Sequence, residues 1–448
     1  MSVDEMSKSI ITSSNIFTND ENNPFLQSGS IVINNGLIVD VGDSDLIRRN
    51  HPDTAIENYA GGLLTPGLIN LHHHLYSSLA RGWNPIGETP KDFPQVLDSI
   101  WWKLDKALTL DDIYYSAIVG LTDSVKMGVT SIIDHHASEN IVTGSLKMIA
   151  RAYKEIGLKG SICFEITDRD GQEIFNDGLQ ETLSALKKWD EYNETNRLKA
   201  MIGLHASMTL SDDNLRQISE AASDYNAGYH FHLAEDVSDQ NDSLKKYEIR
   251  AAERFAKFGM LNEKSLAIHG VHLSNDEIKL MRDNKTNLVT CPRSNQNNAV
   301  GVTRWWDYDQ ITIGLGTDGI GSDMIGEAKS ALYIAHHAKD DPSFGFIDIV
   351  NILLCNNPLI FEKVTGCKVG KLSPGYPADI VYWNYDSPTP IDKNNIGGHY
   401  LYGLYNQQAD TVWSDGKKIF DKGQFVNLDH AKLMAKARDS AKKLWGRI

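Results

Sequence analysis

Short apolar runs alternate with amphipathic helical patterns through the middle of the chain. Eight runs have the length and composition of buried strands, and they cover residues 63–71, 129–133, 160–166, 200–204, 229–233, 265–268, 287–290 and 312–316. Helical patterns separate most of them, as at 111–127, 211–226 and 276–284. Eight strands with intervening helices over roughly 250 residues predict an α/β fold, a (β/α)₈ TIM barrel. An open doubly wound sheet is the competing fold, but no G-x-G-x-x-G follows the first run.

The two ends of the chain have a different pattern, made of short β runs and turns. Such runs lie at 9–16 and 30–41, and again at 380–383 and 412–419, with hairpin-turn residues at 34–36 and 415–416. Residues 430–446 are rich in Ala, Lys and Arg and predict a terminal helix. We therefore predict a β domain from 1–62 with 371–429, a barrel over 63–370, and a C-terminal helix over 430–448.

Polar residues collect where the eight apolar runs end. In a barrel, the carboxyl ends of the strands meet at one face, where reactive groups gather. Ten of the fifteen histidines fall at these places: His72, His73, His74, His135, His136, His205, His230, His232, His269 and His272. Burying so many polar groups requires partners for them. The pattern therefore predicts one polar site at this face.

Strand geometry selects four candidate metal ligands. His72 and His74 are two residues apart, so they project from one face of the first strand, while His73 points to the other. His232 lies nearest the end of the fifth run, and Asp318 ends the eighth run, which neighbours the first in a closed barrel. Three imidazoles and one carboxylate suit one divalent metal ion, Zn²⁺ first and Fe²⁺ second. Such an ion makes hydroxide available at neutral pH.

Three residues are candidates for moving protons at this site. Glu235 lies three residues after His232 and is placed to protonate a ring nitrogen of a substrate. His269 is placed to orient the attacking hydroxide, and Asp318 can act both as ligand and as base. Together they predict addition of hydroxide to a C=N bond, followed by loss of an amine.

Composition narrows the class of partner. The net charge of −15 argues against nucleic-acid or anionic-membrane binding. The four cysteines have no C-x-x-C spacing, which favours a reducing, cytoplasmic location. We find no signal-peptide pattern and no apolar stretch long enough to span a membrane.

The motifs at the strand ends resemble those of the amidohydrolase superfamily. The matching segments are PGLINLHHH at 66–74, HFHLAE at 230–235, LAIHG at 266–270 and LGTDG at 315–319. They resemble the mononuclear aminohydrolase and deaminase branch in particular. The segments at 75–82, 101–108, 133–138, 168–171 and 294–301 are similar to the SsnA-type aminohydrolases.

The resemblance implies a barrel flanked by a small β-sandwich built from both chain ends, and a homo-oligomer. It implies the same ligands, with Glu235 and His269 in proton transfer, and a substrate-facing role for His205. His136, Arg169 and Asn295 are further candidates for holding a ring or its polar substituents. Members with two metals use a carboxylated lysine at the end of strand four. Here His205 stands at that end, which disfavours a two-metal hydrolase.

We expect an aminohydrolase that uses metal-held hydroxide to deaminate a purine- or pterin-like heterocycle. A chlorohydrolase or a cyclic-amide hydrolase would use the same mononuclear site, so these leaving groups remain alternatives. A non-catalytic barrel that binds a metabolite or metal is the third possibility, and the complete set of proton-transfer residues argues against it.

Overall fold

The computed structural model describes residues 8–85, 87–187 and 197–448. Parallel strands form two sheets that run from the first barrel strand to the last. The barrel strands are Leu68–His73, Val129–His136, Lys159–Phe164, Leu198–Ala200, Ile202–Leu204, Tyr229–Leu233, Leu266–His269, Asn287–Thr290 and Ile313–Leu315. Leu198–Ala200 and Ile202–Leu204 are two halves of the fourth strand, which is interrupted at Met201.

Two isolated bridges join these sheets into a closed barrel. Ile166 pairs with Leu204, which connects the third strand to the second half of the fourth. His73 pairs with Asp318, which connects the first strand to the end of the eighth. Closure therefore brings the end of the eighth strand beside the histidines of the first, as the sequence predicted.

The chain ends pair with each other in one nine-stranded sheet. Its strands are Ser9–Phe17, Phe25–Asn34, Leu37–Asp43, Ala55–Tyr59, Leu63–Pro66, Ile380–Trp383, Thr411–Ser414, Lys417–Asp421 and Gln424–Phe425. Leu63–Pro66 pairs antiparallel with Ile380–Trp383, so it belongs to this sheet. The predicted barrel strand at 63–71 is therefore two strands. They divide at Gly67, where a Cβ would lie 2.1 Å from Thr130 Oγ1.

Helices follow most barrel strands and cover their outer faces. The α-helices are Ser44–Asn50, Phe93–Val96, Trp102–Ala107, Leu110–Lys126, Ser145–Ile156, Gln172–Lys187, Asp212–Ala222, Val237–Tyr247, Ala251–Lys257, Asn275–Asp283, Pro292–Asn297, Met324–Lys339, Phe346–Asn351, Asn357–Thr365, Ile396–Gly398 and His430–Trp445. The three helices predicted at 111–127, 211–226 and 276–284 are present with shifted ends. Thr109 and Asp112 form a capping box that fixes the start of Leu110–Lys126.

An apolar cluster drawn from six different strands fills the barrel below the site. It includes Ile69, Ile133, Met201, Ile268 and Val289, all buried. Phe361 on the helix Asn357–Thr365 packs against the same cluster. The polar strand ends thus stand on a closely packed apolar base, which limits their freedom to move.

Candidate active site

The four predicted metal ligands lie together at the carboxyl ends of the barrel strands. His74 Nε2 is 3.1 Å from Asp318 Oδ1 and 3.2 Å from His232 Nε2. His72 Nε2 is 3.7 Å from the same Asp318 oxygen. Because these nitrogens and the carboxylate oxygen converge from three strands, they enclose one small polar space.

Hydrogen bonds from the far side of each ring leave Nε2 pointing into this space. His74 Nδ1 donates to the carbonyl of His135 at 2.7 Å, and His232 Nδ1 donates to the carbonyl of His205 at 3.0 Å. A ring that donates through Nδ1 keeps a lone pair on Nε2, the form that ligates metals. His72 Nδ1 lies 2.8 Å from His230 Nε2, so its partner is another imidazole.

The residues present fit a divalent cation. Nε2 of His72 is buried and has no hydrogen-bond partner. Ligand atoms of His72, His74 and Asp318 lie within 4.8 Å of one another, and so do those of His72, His232 and His269. A buried nitrogen lone pair among other lone pairs is unfavourable unless a cation or proton binds there. The His/Asp set is therefore consistent with a mononuclear metal site.

The charges of the set agree with this interpretation. Burial acts to raise the pKa of Asp318, but the nearby His72 and His74 hold it well below its usual range. Burial acts to lower the pKa of His74, yet the Asp318 carboxylate raises it to about 9. Burial, followed by repulsion from neighbouring imidazoles, lowers the pKa of His232 well below its usual value. The pair of His74 and Asp318 thus favours a positive charge, a proton or a cation, at the point where His74 Nε2 faces the carboxylate.

Glu235 and His269 lie beside this set, as predicted. Glu235 Oε2 is 3.4 Å from His269 Nε2, and Glu235 Oε1 accepts a hydrogen bond from Asn298 Nδ2 at 3.2 Å. Burial and the nearby Asp318 charge raise the pKa of Glu235 well above its usual value. A carboxyl group whose pKa is raised in this way is better suited to act as a general acid near neutral pH.

His269 is oriented by a side chain from the next strand end. Its Nδ1 lies 2.8 Å from Asn295 Oδ1, which can only accept, so Nδ1 carries the proton. Nε2 is then an acceptor, buried and without a hydrogen-bond partner. His269 and Asp318 both have a left-handed backbone, with φ of 72° and 55°. Such strain in non-glycine residues is typical of functional sites.

A cavity opens above these groups. Its floor includes His74, His232, Glu235 and Asp318, and its sides include Phe93, Leu97, Trp101, Trp102 and Met208. An apolar pocket with a few converging polar groups is the usual form of a small-molecule site. Two further tryptophans, Trp305 and Trp306, are not among the residues that line this cavity and pack against Phe344.

The predicted substrate-binding residues divide into two groups. His205 lines the cavity, and its Nδ1 lies 2.7 Å from Thr209 Oγ1. Asn295, His136 and Arg169 are not among the lining residues. His136 Nε2 lies 2.8 Å from Ser138 Oγ, and Arg169 is paired with carboxylates. These three side chains are engaged by protein groups, and direct substrate contact is therefore not what the structure supports for them.

Several cavity residues were not among the predicted site residues. Glu165, Asp105, Trp102, Ser294 and Asn298 all line the cavity. Glu165 had a signal in the sequence, because it is a carboxylate within the apolar run 160–166. Ser294 donates to Asp318 Oδ2 at 2.5 Å, a contact that strand periodicity does not reveal.

Comparisons with known proteins were made on the sequence and on the fold. A family model described as the amidohydrolase family matches residues 63–419. A 5-methylthioadenosine/S-adenosylhomocysteine deaminase of Moorella thermoacetica is 27% identical over 429 residues, which cover 92% of this chain and 94% of the relative.

Two solved structures have the same fold. An adenosine deaminase from Xanthomonas campestris with bound zinc superposes with a TM-score of 0.83 at 19% identity, over 97% of this chain and 98% of the other. Atrazine chlorohydrolase TrzN from Arthrobacter aurescens, complexed with zinc, superposes with a TM-score of 0.79 at 19% identity, over 96% and 99%. The predicted TIM barrel with a small β domain is confirmed. In the described part of the chain, no helix has the length and apolar character needed to cross a membrane.

Proposed function

Because this chain belongs to the amidohydrolase family, we propose that it is a metal-dependent deaminase of a purine-like, nucleoside-type heterocycle. The predicted family and the predicted class of enzyme, a hydrolase, are confirmed by the family match. The nucleoside-type substrate is supported by the relative that is named for two adenosine derivatives. The observation that carries the proposal is the buried Glu235 beside the His/Asp set, at the floor of the cavity.

We propose His72, His74, His232 and Asp318 as the ligands of one divalent ion, with zinc before iron. Support comes from the buried, unpartnered Nε2 of His72 and from the two carbonyl hydrogen bonds that orient His74 and His232. When bound, such an ion supplies Lewis-acid activation of water at neutral pH. Metal analysis of the purified protein tests this assignment: about one equivalent of zinc or iron is expected, and two equivalents would contradict it.

The protein groups divide the proton transfers among them. Glu235 donates its proton to the ring nitrogen next to the carbon under attack, which makes that carbon more electrophilic. His269 Nε2 accepts a hydrogen bond from the attacking water and fixes its direction. Asp318 takes one proton from the attacking water and passes it to the departing amine. The second proton of that water goes to Glu235 as the carbonyl forms, which restores the acid. The balance is one water consumed, one C–N bond broken, one C–O bond formed and one ammonia released.

An ammonia-release screen of metal-loaded protein tests this function. Purine nucleosides, pterins and aminotriazines should be compared, and nucleosides should respond most strongly. Glu235→Gln should keep the bound metal but lose about 10²–10⁴-fold in kcat, the usual contribution of a positioned acid. Glu220→Gln, an exposed carboxylate on the helix Asp212–Ala222, is the matched control and should keep full activity.

The same screen separates the alternatives. Release of chloride from chlorinated triazines without ammonia release would favour a chlorohydrolase, and ring opening without ammonia would favour a cyclic-amide hydrolase. Silence across all three classes of compound with metal bound would overturn the proposed deaminase. Full activity of Glu235→Gln would overturn the proposed acid.

We also propose that the enzyme is a cytoplasmic homo-oligomer. Support for the location is that all four cysteines are free, as in a reducing compartment. Support for assembly is an exposed aromatic patch that includes Tyr333 and Tyr402, 50% and 55% exposed, on either side of Lys329. Cell fractionation and light scattering after size-exclusion chromatography test the two statements, and a monomer at micromolar concentration would contradict the second.

A further inference from the structure

One wall of the cavity is formed by Trp102, Asp105 and Glu165. Glu165 follows the third barrel strand, Lys159–Phe164, and Asp105 and Trp102 lie on the helix Trp102–Ala107. Both carboxyl groups are nearly inaccessible, with exposed fractions of 1% for Asp105 and 4% for Glu165. In an eight-stranded barrel the third strand lies across from the seventh, which precedes Ser294. This wall therefore faces the Ser294 side of the cavity.

The acceptor atoms of this wall are not all used by the protein. Oδ1 of Asp105 is buried and has no hydrogen-bond partner. Glu165 Oε2 is 3.2 Å from His135 Nδ1, whereas Glu165 Oε1 is 3.9 Å from His205 Nε2, beyond hydrogen-bond distance. Buried acceptors without partners are costly, so a donor from a ligand would satisfy them.

Lining side chains with permanent positive charge are absent from the described part of the cavity. Six carboxyl groups line it: Asp105, Glu165, Glu235, Asp236, Asp239 and Asp318. Glu235 is taken up by the proposed proton transfer and Asp318 by the proposed metal site. Asp239 accepts from the backbone amides of Met208 and Ala234, at 2.9 and 3.0 Å. Asp236 caps the helix Val237–Tyr247 by accepting from the Ser238 amide at 2.9 Å. Asp105 and Glu165 remain, each with one carboxylate oxygen that has no hydrogen-bond donor within reach among the described residues.

The nearest guanidinium is held away from a ligand. Arg169 Nη2 is paired with Asp105 and lies 2.9 Å from Glu139 Oε2, and its Nε lies 3.0 Å from Asp170 Oδ2. Its Cζ lies 5.0 Å from the centre of the Trp102 ring, and Trp102 lines the cavity. Three carboxyl groups around one cation leave it little capacity to attract an anionic ligand.

We propose that Trp102, Asp105 and Glu165 form a specificity wall that binds a substituent rich in N–H donors, neutral or positively charged, and rejects a negatively charged one. This inference rests on the proposed deamination, since it names the class of substrate that the same cavity accepts. A protonated amine or amidine would donate to the free carboxylate oxygens beside an aromatic ring. A carboxylate or phosphate at this wall would face like charges at low dielectric, which weakens its binding.

A matched set of nucleosides tests the wall by binding alone. The ligands are inosine derivatives with a 5′-amino, 5′-methylthio or 5′-carboxylate group, because deaminated rings occupy the site without turnover. Dissociation constants are measured by calorimetry on the zinc-loaded full chain at low salt. The carboxylate should bind at least about tenfold more weakly than the amine. Equal affinity for the two would overturn the wall.

Two variants assign the selectivity to these carboxyl groups. Glu165→Gln and Asp105→Asn should each reduce the amine-to-carboxylate ratio. Asp105→Asn should reduce the ratio more, because it also removes one of the carboxylates that pair with Arg169 and leaves that cation freer to attract an anion. Glu220→Gln is the matched surface control and should leave the ratio unchanged. Circular dichroism and thermal melting show that each variant is folded, and unchanged ratios in both folded variants would overturn the assignment.

Benzamidine, benzamide and benzoate separate this inference from the proposed function. They share one ring and differ in charge, so they probe the wall without any reaction or nucleoside. Preference for benzamidine, lost in Asp105→Asn, would support the wall even if no nucleoside binds or releases ammonia. Ammonia release from nucleosides, together with equal affinities within each of the two ligand sets, would support the proposed function and overturn the specificity wall. Equal affinities within each set and no ammonia release would overturn both the specificity wall and the proposed function.

Discussion

Removing the side-chain amide of Asn295 should slow the reaction without removing the metal. Asn295 Oδ1 accepts a hydrogen bond from His269 Nδ1 at 2.8 Å, and Asn295 Nδ2 donates to Thr303 Oγ1 at 3.1 Å. In Asn295→Ala the buried Nδ1–H loses its acceptor, at a cost of about 1–3 kcal/mol. Since about 1.4 kcal/mol is a factor of ten, kcat should fall roughly 5- to 150-fold. KM should change little, because Asn295 does not line the cavity.

Asn295→Asp tests the same contact through pH. Burial lowers the pKa of His269 in the wild type. A carboxylate at 295 would stabilise the imidazolium and raise that pKa. Since His269 Nε2 must be unprotonated to accept from water, the acidic limb of the kcat–pH profile should move to higher pH. A residue that only packs against its neighbours would leave this limb in place.

Steady-state kinetics from pH 5 to pH 9 and metal analysis of each variant provide the measurements. Gln296→Ala changes an exposed residue on the same helix, Pro292–Asn297, and is the control that should match the wild type. Full kcat in a folded, metal-loaded Asn295→Ala would refute the role given to this hydrogen bond. An unmoved acidic limb in Asn295→Asp would refute the assignment of His269 as the acceptor.

Three further changes probe stability and metal binding. Lys159→Met should lower the free energy of unfolding by about 3–5 kcal/mol in urea titrations, because the buried Asp379 carboxylate, 2.7 Å from Nζ, loses its cation. Asp415, 2.6 Å from Nζ, keeps its pair with Arg197. A change below about 1 kcal/mol would contradict this role of Lys159, which joins the barrel strand Lys159–Phe164 to the residues beside the β-domain strands. Burial raises the pKa of Asp134 to about 7, so the contribution of Asp134 to stability should fall by up to about 4 kcal/mol between pH 4 and pH 7. Asp134→Asn should flatten this profile while still accepting from the Leu75 amide, and parallel profiles would contradict it. Chelation should lower the melting temperature reversibly, with recovery on zinc addition, and an unchanged temperature would argue against a resident metal.

The strand-end chemistry could be predicted because it depends on short spacings. His72 and His74 share a face through the two-residue period of a strand. Asp318 reaches them because the eighth strand of a barrel neighbours the first, and the His73–Asp318 bridge confirms that neighbourhood. His73 Nε2 lies 3.1 Å from Ser322 Oγ, away from His72 and His74, as alternation predicted.

What depends on partners distant in sequence could not be predicted. The division at Gly67 arises because Thr130 packs against that backbone and Ile380–Trp383 pairs with the preceding residues. Arg169 was predicted to hold a substrate, but the helix Trp102–Ala107 supplies a carboxylate that pairs with it. A single sequence does not show which buried cation pairs with which anion, because Arg169 could pair with a substrate or with a carboxylate of the protein.

The assignment of acid and base lies between these two cases. Glu235 and Asp318 are both strand-end carboxyl groups. Their positions predict an acid and a base, but not the surroundings that separate the two pKa values. In the structure Glu235 is buried and lies near the Asp318 charge, and its pKa rises. Asp318 meets two histidines, and its pKa falls. Two carboxyl groups with opposed environments are what an acid–base pair at one pH requires. The direction of proton flow is thus set by the neighbours of each carboxyl group, which only the closed barrel brings together.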